Sequence, residues 1–168
     1  EVFGDINVEQ PSSFFKDFNQ LLLQAAPSNK ENPTVVILTP GPHNETYFEH
    51  SYLSSFLGYP LVKGSDLVVR SGKLWMKSLK GLKQVDVVLR RVDDVFVDPL
   101  ELREDSYLGV AGLMEVVRLQ NVTIVNPVGS GILENPGLIP FMNGICKYFL
   151  NEELLLPQIA SWWCGQEK

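Results

Sequence analysis

Three short runs of β-branched and aliphatic residues constrain this chain most: Thr34-Val-Val-Ile-Leu38, Val85 to Leu89, and Val122-Thr-Ile-Val125. Each is too short for a helix and shows no apolar–polar alternation. That pattern predicts strands buried on both faces, as in a parallel sheet covered by helices. The segments between them carry helical spacing. Ser12 or Ser13 can cap a helix with apolar positions Phe14, Phe15, Phe18, Leu21 and Leu22, ending near Ala26 before Pro27. After the first strand, Phe48, Tyr52 and Phe56, with Leu53 and Leu57, form the apolar face of a second helix, stopped by Gly58. A third is expected over 106–120, with Val110, Leu113, Met114 and Val117 inward. A last one starts at Pro136, with Leu138, Phe141, Met142, Ile145 and Phe149 inward.

The middle of the chain departs from this alternation. Leu61-Val62 reads as a short strand. Asp66 to Arg70 and Lys73 to Lys77, joined by Ser71-Gly72, read as a β-hairpin, with Leu79 to Leu82 as a further turn. Asp98-Pro99 opens a turn or a short helix. The expected class is therefore α/β: a Rossmann-like, mostly parallel sheet with helices on both faces, plus an antiparallel hairpin. Residues 1–32 are expected to be a lead-in and helix, with Glu1 to Gln10 lacking any period. The polar stretch Pro27 to Pro33 is a connection, and residues 33–168 form the main domain.

Composition narrows the function. The 168 residues hold 14 basic and 20 acidic side chains, a net charge of −6, with no basic block, so phosphate-backbone binding to nucleic acid is not expected. No apolar run approaches the ~20 residues of a membrane span, and there is no signal-peptide pattern, so a soluble, cytoplasmic protein is expected. Two cysteines, Cys146 and Cys164, and two histidines, His43 and His50, leave no disulfide framework and no metal-ligand spacing. The chain begins at Glu1 rather than Met, and reads as a piece excised from something longer.

Ligands of open α/β sheets bind beyond the carboxyl ends of the strands. Three segments there are unlike ordinary connections. In Thr39-Pro-Gly-Pro-His-Asn44, Gly41 between prolines makes a rigid path into a helix start, either an anion site or a turn that Asn44 caps. Arg90, Arg91, Asp93 and Asp94 place four charges in five positions. One arginine can clamp a carboxylate or phosphate while an aspartate positions an amine or a metal, or the group can be a structural ion pair. In Asn126-Pro-Val-Gly-Ser-Gly131, Gly129 and Gly131 either admit close backbone approach to a ligand or make a surface loop. Glu49 and His50 fall in the first helical turns, facing the rim or solvent. A lone histidine there is more often a solvated residue than a catalyst. No nucleotide fingerprint, phosphate-loop lysine or catalytic triad is legible.

Several of these motifs occur in fixed order. Leu38 to His50, Val87 to Asp94 with Asp98-Pro-Leu-Glu101, Gly129 to Pro136 and Ser161-Trp-Trp-Cys-Gly165 together resemble the circularly permuted ATP-grasp type 2 family, related to glutathionylspermidine synthase. The resemblance implies an ATP-dependent carboxylate–amine ligase that works through an acyl phosphate. The magnesium-binding and nucleotide-lysine patterns of such enzymes do not occur here. The chain thus resembles the inserted, pre-ATP-grasp-like middle domain, which helps bind substrate and is inactive alone. By that resemblance Arg90, Arg91, Asp93 and Asp94 are candidate catalytic residues. Gly41, Pro42, His43, Asn44, Tyr47, Asn126, Gly129, Ser130 and Gly131 are candidate substrate-binding residues, and no metal site is expected. ATP and magnesium would serve the full-length protein and not bind this fragment. The expected partners are a small carboxylate or amine substrate and the flanking ATP-grasp lobes. The competing reading is a non-catalytic small-ligand-binding or interaction module.

Overall fold

The computed structural model describes residues 11–27 and 30–165. The lead-in Glu1 to Gln10 and part of the 27–33 connection lie outside them. The chain divides into two compact units, residues 1–128 and 129–168.

In the first unit, the three aliphatic runs form strands of one parallel sheet. β1 (Val35–Leu38) pairs with β2 (Leu61–Val62) on one side and β6 (Val87–Arg90) on the other, and β6 pairs with β7 (Thr123–Val125). The spatial order is β2-β1-β6-β7. β1 and β6 are buried at every position, as unalternated aliphatic strands require. The pleat sends Val35, Ile37, Val87 and Leu89 to one face, where they meet Leu22 of α1 (Ser12–Gln24) and Leu53 and Leu57 of α2 (Tyr47–Leu57). Val36, Leu38, Val88 and Ile124 point to the other face. There they pack with Leu113 and Val116 of α3 (Leu113–Arg118) and with Leu67 and Leu74 of a second sheet. Helices therefore cover both faces, and the second sheet shares one of them with α3.

That second sheet is antiparallel, in the order β3 (Leu67–Arg70), β4 (Lys73–Ser78), β5 (Gly81–Gln84). Ser71 and Gly72 both have positive φ, 51° and 67°, the geometry of the tight hairpin turn expected there. The segment expected as a turn at 79–82 is instead a two-residue connection, Leu79-Lys80, into a third strand. Gly-Leu-Lys-Gln has no apolar period to announce it; backbone pairing to β4 makes the strand.

The helix expected over 106–120 is reduced to its last part, Leu113–Arg118. Gly112 at φ +81° breaks it, and the bent chain before it packs against residues 96–97, with Val110 N–H donating to the Val97 carbonyl at 2.8 Å. A Cβ on Gly109 would stand 2.2 Å from the Phe96 carbonyl oxygen, so this packing admits only glycine. Asp98, fully buried, takes over the helix start. Its carboxylate accepts from the N–H groups of Leu100 (2.9 Å), Gly112 (3.1 Å) and Met114 (2.9 Å). Two donors at the helix start, together with the local Leu100 N–H, are thus satisfied by one side chain.

α2 differs from expectation in the face it buries. His50, Leu53 and Leu57 turn inward, whereas Phe48, Tyr52 and Phe56 lie outward, Phe48 being 78% exposed. Phe56 meets Phe15 of α1, ring to ring at 4.3 Å, and Tyr52 of its own helix at 5.9 Å. In α1 the inward side is Leu22 with Phe18, and Phe14 and Leu21 face outward.

In the second unit, Ser130–Glu134 and Pro136–Phe141 are 3-10 turns, and α4 spans Met142–Leu150. The single helix expected from Pro136 is split because Pro140 sits inside it. Phe141 and Phe149, expected inward, are exposed, and no described residue of this unit is buried. One short helix and two turns provide no second layer to bury against. No helix among the described residues is long and apolar enough to cross a membrane.

Candidate functional site

Because all four strands of the main sheet run parallel, their carboxyl ends share one edge. Four chain segments leave the sheet there: Thr39 to Thr46 after β1, Lys63 after β2, Arg91 to Asp94 after β6, and Asn126 to Val128 after β7.

The first segment is held from below by α2. His50 is only 2% exposed and stands against Thr39, also 2% exposed. Its Nδ1 is 2.9 Å from Thr39 Oγ1 and its Nε2 is 3.1 Å from Thr46 Oγ1. The Thr46 hydroxyl donates its proton to Asn44 Oδ1 at 2.6 Å, so it must accept from His50, which puts the ring proton on Nε2. Burial lowers the His50 pKa, with the Arg91 charge adding to the effect and Glu49 opposing it. The ring is therefore neutral near pH 7, Nδ1 is an acceptor, and the Thr39 hydroxyl donates to it. Thr39 Oγ1 in turn accepts from Gly41 N–H at 3.2 Å. One directed chain of hydrogen bonds runs from Gly41 through Thr39, His50 and Thr46 to Asn44.

The loop closes on itself within that frame. Asn44 N–H donates to the Gly41 carbonyl at 3.1 Å, and Thr46 N–H donates to Asn44 Oδ1 at 3.0 Å. Of Gly41, Pro42, His43 and Asn44, proline has no N–H and the amides of Gly41 and Asn44 are engaged. That of His43 has no partner among the described residues. Gly41 sits at φ +107°, a conformation that requires glycine. Pro42 and His43 are exposed, and Tyr47 is half-buried at the first position of α2.

The two adjacent arginines have opposite fates, as alternation along a strand end requires. Arg90 turns inward with its side chain 9% exposed. Its Nε donates to the Asn126 carbonyl (2.7 Å), Nη1 to the Val92 carbonyl (2.5 Å) and Nη2 to the Pro127 carbonyl (3.3 Å), and Nη2 pairs with Asp94 Oδ1 at 2.5 Å. Its fork is filled by its own chain, and it ties the end of β6 to the end of β7. Asn126, at φ +62°, returns a bond from Nδ2 to the Arg90 carbonyl at 3.3 Å. Arg91 turns outward; its backbone N–H is anchored to the Leu38 carbonyl at 2.9 Å, and its guanidinium has no ion pair among the described residues. Asp93 is exposed, and its carbonyl closes the following turn through Phe96 N–H at 3.0 Å.

Lys63 is a rim cation that the motif reading passed over. It follows β2 directly, is exposed, and lays its stem along Gly41, whose missing Cβ would lie 3.6 Å from Lys63 Cδ. A signal for it was present: a lysine immediately after a short strand of a parallel sheet lies at the ligand edge. His50, read as a solvated residue, is instead buried. Its partners Thr39 and Thr46 lie within the Leu38 to His50 motif, which by itself gives them no role. Gly129, Ser130 and Gly131 belong to the second unit, where Gly129 at φ +91° starts the Ser130–Glu134 turn.

The arrangement thus presents Arg91 and Lys63 as exposed cations without an ion pair among the described residues, and Asp93 as an exposed acid, on a loop frame fixed by buried bonds. Such an edge is suited to a carboxylate or phosphate. Among the described residues no group of three or more His, Cys, Asp or Glu side chains could hold a metal ion.

A family model described as circularly permuted ATP-grasp type 2 matches residues 1–168. Among curated proteins, the chain is 47% identical over 165 residues to the uncharacterized protein Rv2567 of Mycobacterium tuberculosis, covering 98% of this chain and 19% of that one. It is 42% identical over 168 residues to the uncharacterized protein sll0335 of Synechocystis, covering 100% of this chain and 35% of that one. It is 38% identical over 163 residues to the uncharacterized protein ML0605 of Mycobacterium leprae, covering 97% and 29%. The chain therefore spans between 19 and 35% of the length of these relatives.

Proposed function

The chain belongs to the circularly permuted ATP-grasp type 2 family, and from that premise we propose that its first unit is the substrate-binding part of a carboxylate–amine ligase. The observation that carries the reading is the pair of exposed cations, Arg91 and Lys63, beside a rigid loop on the ligand edge of a parallel sheet. Arg91 would hold a substrate carboxylate or its acyl phosphate in a bidentate grip, and Lys63 would add a point charge. Asp93 would orient the amine. Arg90 and Asp94 would shape this edge from beneath and not touch the substrate. ATP and magnesium would be held by ATP-grasp lobes elsewhere in the polypeptide, which acts in the cytoplasm on a reaction of the glutathionylspermidine-synthase kind.

The test is steady-state kinetics of the longest reading frame that encodes this chain. Arg91→Ala is expected to raise KM for the carboxylate substrate by about 10- to 100-fold, the worth of one charge-assisted pair. Its KM for ATP is expected to stay unchanged. Lys63→Ala should do the same more weakly, and Asp93→Asn should act on KM for the amine. Unchanged carboxylate KM in both cation variants would exclude the reading and favour a non-catalytic module.

A further inference from the structure

We propose that His50 is the positioning residue of the ligand edge: as the neutral Nε2–H tautomer it couples Thr39 to Thr46 and holds Gly41 to Asn44 in their bound-ready conformation. The loop-holding role stands on geometry alone, while its consequence for a ligand rests on the anion-binding reading above.

The two residues His50 joins lie at opposite ends of the loop, Thr39 at the end of β1 and Thr46 just before α2. A span of this kind closes a ring through a side chain from the helix below. Only a group that accepts at one nitrogen and donates at the other satisfies both hydroxyls, because the proton of Thr46 is committed to Asn44 and Thr39 already receives Gly41 N–H. Every buried side-chain polar atom among the described residues has a partner, so the ring has no slack.

Protonation of His50 breaks that match. Nδ1 would become a donor facing Thr39 Oγ1, whose own proton would then have no acceptor in a buried site. The charged groups acting on His50 are Arg91, from the end of β6, and Glu49, from its own helix; burial and Arg91 both disfavour the imidazolium. The folded pKa lies below the ordinary 6.5, so as pH falls the unfolded chain binds the proton first. The stabilisation from His50 is full above about pH 6.5 and declines as pH drops through the folded value. Protonation thus also loosens the loop on which Arg91 and Lys63 act.

Nitrogen-resolved NMR of the full chain tests the tautomer directly. The expected result at pH 7 is a protonated Nε2 and a bare Nδ1; an Nδ1–H ring or an imidazolium would overturn the proposal. Amide exchange tests the holding role. His50→Gln is expected to lower protection of the Gly41, Asn44 and Thr46 amides about tenfold while Val36 and Val88 stay protected. Thr46→Val, at an exposed position, gives the same readout for Gly41 and Asn44 should His50→Gln unfold the chain. In the native protein this loop protection falls below pH 6.5, and it loses that pH dependence in the variant. Unchanged loop protection in both variants refutes the holding role. A titration with inorganic phosphate, followed at the His43 amide, separates the two readings. If loop protection falls in the variants but wild type and Arg91→Ala respond alike to phosphate, the anion reading fails and the positioning role survives.

Discussion

Replacing Asp98 by Ala is expected to lower the unfolding free energy by about 3–5 kcal/mol. The side chain is fully buried, and its two oxygens receive the N–H groups of Leu100, Gly112 and Met114. Ala leaves the buried Gly112 donor and the partly buried Leu100 and Met114 donors without this acceptor, and a buried unsatisfied group costs about 1–3 kcal/mol. It also removes the side-chain acceptor at the start of α3, since Gly112 at the cap position has no side chain to supply one. Asp98→Asn is expected to fall between the two, because one amide oxygen still accepts while the new NH2 faces N–H donors. Urea unfolding followed by far-UV circular dichroism measures both. A loss under 1 kcal/mol for the Ala variant would mean that water reaches this site.

Arg90→Ala is expected to cost about 2–4 kcal/mol and to disorganise the ligand edge at the same time. The guanidinium satisfies carbonyls of Val92, Asn126 and Pro127 and pairs with Asp94, which is itself 29% exposed. That partial exposure of Asp94 places the cost below that of a wholly buried pair. Arg90→Lys keeps the charge but has no planar fork to reach three carbonyls, so most of the loss should persist. Thermal unfolding of both variants, with carboxylate KM measured alongside, distinguishes Arg90 from Arg91: the first shifts stability and KM together, the second KM alone. Arg91→Ala with a stability loss as large as that of Arg90→Ala would contradict this division.

The same pair shows how far sequence reasoning reaches. Adjacent arginines at a strand end must point to opposite sides, and that much follows from backbone alternation. Which one turns inward depends on the carbonyls waiting there, and two of those three belong to the segment after β7, more than thirty residues away. The loop at Gly41 was legible for a similar reason: proline and glycine restrict the backbone locally. Its anchoring by His50 was not. A histidine on a helix reads as exposed unless one knows that its face of α2 is the one laid against β1. Hydrophobic count on α2 favoured the side bearing Phe48, Tyr52 and Phe56, yet the sheet below accepts only the narrower stripe of Leu53 and Leu57. Likewise, the apolar period over 106–120 is real, but Gly109 is pressed against carbonyls of residues 96 and 97, and that contact overrides helical propensity.

From the sequence alone came the parallel sheet, its alternation with helices, the tight hairpin at Ser71-Gly72 and the edge on which the unusual loops converge. These depend on near-neighbour spacing and on side-chain size, which act within a few residues. Tertiary structure decided which arginine is free, where Lys63 stands, that Asp98 starts a helix fourteen residues on, and that His50 is a buried link. Each of those depends on a polar group finding a partner brought close only by the fold. Burial then makes an unmet hydrogen bond too costly to keep, so the partner settles the role.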